Sequence, residues 1–87
     1  MQIAVFDTHV LRPDGRTMHF DILVPNEARD HAAVVAHGRI YLSGKGIPNE
    51  ALTTRECRFC HIESASAAVR RDIERNGFSI LELQHCD

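Results

Sequence analysis

The four residues RPDG, Arg12 to Gly15, lie between two runs of β-forming residues, IAVFDTHVL and TMHFDILV. No other stretch restricts the fold as tightly. Pro13 presets φ at the first central position of a turn. Gly15 can take the left-handed conformation that a type I turn with a bulge requires. The two runs are therefore expected to form an antiparallel hairpin. With Arg12 paired near Arg16, His9 faces His19, Asp7 faces Asp21 and Val5 faces Leu23. The opposite face then carries Phe6, Thr8 and Val10 against Met18, Phe20 and Ile22. A slip of one residue would put Asp7 and His9 beside Met18 and Phe20, so the hydrophobic pattern selects the first register.

Pro25 and Asn26 end the second strand. Asn26 can cap a helix, with Glu27 in its first turn, where the helix dipole favours negative charge. The predicted helix runs from about Glu27 to Leu42, with Ala32, Val35, Ala36, Ile40 and Leu42 inward, and Gly44 and Gly46 stop it. Gly38, inside it, lowers helix propensity. ALTTRECRF reads as an extended segment. Ser64 or Ser66 then caps a short helix containing Ala68, Val69 and Ile73, and Asn76-Gly77 ends it. FSILELQ forms a last strand, and its apolar residues at both parities predict cover on both sides. The order is β-β-α-β-α-β. It predicts one α+β domain over residues 1–87: a four-stranded mixed sheet, its last two strands parallel through a helical crossover, with two helices mainly on the apolar face of the hairpin.

Bulk properties narrow the function classes. A chain of 87 residues makes one domain with a thin core, and 44% hydrophobic residues argue against disorder. The net charge is −2, and the densest basic cluster (Arg70, Arg71, Arg75) is interleaved with Asp72 and Glu74. A solvated helix face explains that cluster, and a nucleic-acid partner is not expected. No apolar run approaches the roughly 20 residues of a membrane span. MQIAVFDTHV lacks the basic opening and apolar core of a secretory leader, so a cytoplasmic location is expected. Three cysteines cannot close a full disulfide framework, which leaves free thiols or metal ligands. No phosphate-binding loop, dinucleotide fingerprint or nucleophile elbow is present.

Two constellations carry chemistry. The first is ECRFCHIE, Glu56 to Glu63. If the last two strands run parallel, Cys57, Cys60 and His61 end one of them and His85 and Cys86 end the other. Five ligands would then converge, enough for a tetrahedral zinc site. The same C-x-x-C-H spacing also fits haem attachment or a thiol redox pair. The simplest alternative makes the cysteines core residues, because free cysteine is among the most buried residue types. The second constellation is Asp7, His9, His19 and Asp21 on one face of the hairpin. It could bind a metal or move protons, with Asp7, His19 and Asp21 as candidate acid–base residues, or it could be a polar surface.

FDTHV, MHFDI, ECRFCH and NGFSI together resemble the small prokaryotic family catalogued as domain of unknown function 2024. The resemblance spans nearly the whole chain, and ECRFCH with MHFD upstream is its most specific part. It implies a single mixed α and β domain and no assigned activity. The matching positions are Asp7, Thr8, His19, Phe20, Asp21, Glu56, Cys57, Phe59, Cys60 and His61. His9 stands where the resemblance leads us to expect an aromatic residue. The functional expectation is a zinc or thiol site at the CxxCH segment, in an enzyme or otherwise, with any small-molecule ligand left open. The rival is a non-catalytic interaction domain that forms a homodimer, since a thin core gains from association.

Overall fold

The turn forms as its residues require. Gly15 has φ 89°, Arg12 N–H donates to the Arg16 carbonyl at 2.8 Å, and Gly15 N–H donates to the Arg12 carbonyl at 3.0 Å. Asp14 accepts from Arg16 N–H at 3.0 Å and holds the loop closed. The computed structural model describes residues 1–87. The hairpin strands are β1 (Gln2–Leu11) and β2 (Thr17–Pro25), followed by α1 (His31–Gly44), β3 (Cys57–Ser64), α2 (Ala67–Asn76) and β4 (Ser79–Gln84). The predicted order therefore holds, and so does the register: Val5 pairs with Leu23, Asp7 with Asp21 and His9 with His19.

Alternation along β1 and β2 sorts the side chains between two layers. Ala4, Phe6, Val10, Met18, Phe20, Ile22 and Val24 pack with Val34, Val35 and Leu42 of α1 and with Leu52. On the other face Ile3, Val5 and Leu23 pack with Ile73 of α2, and Val69 adds to them. The expectation that both helices lie on one face is thus corrected. The odd-numbered face is apolar only at the end remote from the turn, and α2 covers that end alone.

The sheet order is β3-β1-β2-β4, and every neighbouring pair is antiparallel. A mixed sheet with β3 beside β4 was expected. Instead α2 passes over the hairpin and carries the chain from the outer side of β1 to the outer side of β2. Both late strands are edges. FSILELQ was expected to be covered on both sides, but Leu81 and Leu83 are about half exposed. Phe78 and Ile80 pack on the α1 side, Leu81 pairs with Asp21 on the open face, and Leu83 is the extra residue where the β2–β4 register shifts between His19 and Phe20.

The helix ends show which caps win. Asn26–Ala28 makes a separate 3-10 turn, and α1 begins later than predicted because Asp30 accepts from Ala33 N–H at 3.1 Å. The inward residues are Val34, Val35, Gly38 and Leu42, whereas Ala32, Ala36 and Ile40 are exposed. A Cβ on Gly38 would lie 2.5 Å from Leu52 Cδ2 and 2.8 Å from Ile22 Cδ1. Glycine there is a packing requirement that periodicity does not reveal. Ser66 caps α2 by accepting from Val69 N–H at 3.2 Å, and Gly77 ends it at φ 87°. No helix is long and apolar enough to cross a membrane.

Candidate functional site

Since α2 stops short, the turn-proximal half of the odd-numbered face is open. Asp7 and His9 project from β1, two residues apart, and His19 projects from β2 directly across from His9. The two imidazoles stack, with centroids 4.1 Å apart and planes 14° from parallel. His19 Nε2 hydrogen-bonds Asp7 Oδ1, and His9 Nδ1 lies 3.7 Å from Asp7 Oδ2. One ligand atom from each of the three lies within 4.8 Å of the others. His9 is exposed, and Asp7 and His19 are half-buried. Of the diagonal pairs the register allows, the one between Asp7 and His19 forms.

Asp21 completes the polar face opposite Asp7. Burial raises its pKa, and the negative charge of Asp7 raises it further, while His19 opposes both. The native state thus holds this proton more tightly than the unfolded chain. A raised carboxyl favours folding below its unfolded pKa, and that contribution is lost as pH rises through the native value. Asp21→Asn is therefore expected to stabilise the protein at pH 7. The gain is on the order of 0.5 kcal/mol, after allowing for solvent screening at a partly exposed group. It should vanish below the ordinary aspartate value of 3.8. Thermal melts at several pH values read this directly, and a variant less stable than wild type at pH 7 would contradict it.

The five residues expected to share a zinc ion are not brought together. Cys57 and Cys60 lie on β3 at one edge, and His85 and Cys86 follow β4 at the other, three strand spacings or roughly 14 Å away. Cys57 is fully buried in the α1-side core, as the core alternative held. Cys86 is buried there too, and its thiol donates to the His19 carbonyl at 3.4 Å. The Arg12 guanidinium fixes the tail by donating to the His85 and Asp87 carbonyls at 2.7 and 2.8 Å. Cys60 and His61 lie within β3 rather than at its end, and both are exposed. Glu63 escaped the sequence reading. Its spacing of two from His61, on one strand face, was the available signal.

The surface hollows lie away from the Asp7–His9–His19 cluster. One of about 350 Å³ is lined by Phe6, Arg29, His31 and Phe59. Another of about 530 Å³ lies by Tyr41, Phe78 and Glu82.

The profile of the family catalogued as domain of unknown function 2024 matches residues 1–83. The chain belongs to this family. An NMR structure of protein NE1680 from Nitrosomonas europaea, a Northeast Structural Genomics Consortium target, is similar over the full length of both chains, with 39% identity and a TM-score of 0.85. No functionally curated protein matches the chain. Membership of the 2024 family assigns no activity. Of the positions that carried the resemblance, Asp7, His19 and Asp21 lie on the open face, Cys57 lies in the core, and Cys60 and His61 lie on the surface.

Proposed function

We propose that this protein binds a divalent first-row transition-metal ion, zinc foremost, through Asp7, His9 and His19. The observation that carries this reading is the proximity of two imidazole nitrogens and a carboxylate oxygen, all within 4.8 Å of one another. Imidazole and carboxylate suit zinc and its neighbours. With bonds of about 2.0–2.2 Å, a four-coordinate ion would draw the three atoms to roughly 3.4 Å separations. Three protein ligands leave a position for water or a substrate atom, the pattern of zinc sites that act as Lewis acids rather than as structural clamps. Asp7 and His19, expected as acid–base residues, are ligands in this reading, and Asp21 is the free carboxylate beside them.

Dialysis against zinc followed by metal analysis tests it. One equivalent is expected in the wild-type chain and in Cys86→Ser, with little or none in Asp7→Asn and His19→Ala. Equal uptake by wild type and a combined Asp7→Asn, His9→Ala, His19→Ala variant would overturn it.

A second reading, pairing of two copies through a sheet edge, is favoured by the exposed Phe59 and Ile62 on β3 and Leu81 and Leu83 on β4. Light scattering across a wide concentration range decides it: a dimer mass is expected, and a monomer at the highest concentration rejects it.

A further inference from the structure

Successive side chains of a regular strand point to opposite faces, so Cys60 and His61 would normally diverge. Here they meet. Val5 pairs with His61 while Phe6 pairs with Phe59, which leaves Cys60 as the extra residue of a β-bulge. Cys60 Sγ lies 3.2 Å from His61 Nδ1. His61 Nε2 lies 2.5 Å from Glu63 Oε1, two residues further along the strand. A carboxylate only accepts, so Nε2 carries the hydrogen and Nδ1 presents its lone pair to the thiol. The chain from Sγ through imidazole to carboxylate is the arrangement of a nucleophile, its base and the group that orients the base. All three side chains are exposed.

We propose that Cys60, His61 and Glu63 form a reactive-thiol site that undergoes exchange with low-molecular-weight disulfides. The step balances without any further reactant. His61 Nδ1 takes the thiol proton, Cys60 Sγ attacks one sulfur of R–S–S–R, and a Cys60–S–S–R bond forms as the original S–S bond breaks. The departing thiolate takes the proton from His61 and leaves as RSH. Cys60 is oxidised, and the departing sulfur is reduced. The other two thiols cannot resolve the product: Cys57 is buried in the core, and Cys86 lies beyond the opposite edge of the sheet. The mixed disulfide therefore persists until an external thiol removes it, as at a reversible S-thiolation site.

The test uses the full chain with chelator present, so that metal at Asp7, His9 and His19 plays no part. With dithiobis(nitrobenzoate) at pH 7, one thiol per chain reacts fast, and the other two react only on unfolding. Cys60→Ser removes the fast phase. An ordinary thiol is a few per cent thiolate at pH 7, and lower basicity brings lower nucleophilicity. Loss of the base in His61→Asn is thus expected to slow the reaction about tenfold. Glu63→Gln should slow it less, with unchanged melting temperature in both variants. Glutathione disulfide should add one glutathionyl group by intact mass, on Cys60 and removable by dithiothreitol. A wild-type rate in His61→Asn at full folding, a Cys60 no faster than free glutathione, or transfer of the adduct to Cys57 or Cys86 would each overturn the proposal.

Discussion

Zinc at a hundred times its dissociation constant is expected to raise the unfolding free energy by about 2.7 kcal/mol. Each kcal/mol moves the melting temperature of a domain this small by about 4–8 °C, so a rise of about 10–20 °C should appear in a thermal scan. The effect requires an ion that prefers the native state, and the geometry provides that preference. Asp7 and His9 are local to one strand, but His19 is twelve residues from Asp7 and reaches it only when β1 and β2 pair. Unfolding disperses the trio. A chelator should return the melt to its starting point, and Asp7→Asn should show little shift at any zinc concentration. Acidification should shrink the shift, because an imidazole must be neutral to act as a ligand. A wild-type melt that stays flat to saturating zinc would contradict the assignment.

Gly38→Ala is expected to cost about 1–3 kcal/mol, although alanine is the better helix former by about 1 kcal/mol. The added methyl would meet Leu52 and Ile22 at 2.5 and 2.8 Å, and both of those side chains are fully buried. Relief requires α1 to lift from the sheet or the core to repack. Gly44→Ala, at the end of the same helix, meets nothing within 4 Å and should stabilise by about 0.5–1 kcal/mol. Urea titrations of the two variants should therefore move in opposite directions. Stabilisation of both variants would mean that propensity, rather than the close approach of helix to sheet, governs both sites.

What could be read from the residues follows how local each determinant is. The hairpin register depends on Pro13, Gly15 and side-chain parity, all within one short segment, and it was legible. The shared face of Asp7, His9, His19 and Asp21 came with it. Strand order was not legible, because α2 contacts the sheet through a sparse stripe of Val69 and Ile73 that does not say which face or edge it serves. That gap produced the five-residue zinc expectation. Cys60 and His61 meet only through a bulge set by pairing with β1, and no motif within β3 announces it. The start of α1 was misplaced because Asn26 and Asp30 are equally good caps by type, and only Asp30 makes the capping hydrogen bond.

α2 roofs only the far half of the odd-numbered face, and this sets how a visiting molecule would meet an ion held by Asp7, His9 and His19. The ion would rest on a floor rather than at the bottom of a well. Nothing about such a floor sorts callers by bulk, so discrimination would have to come from charge and from the one coordination position left free. A flat or extended compound could approach as readily as a small one.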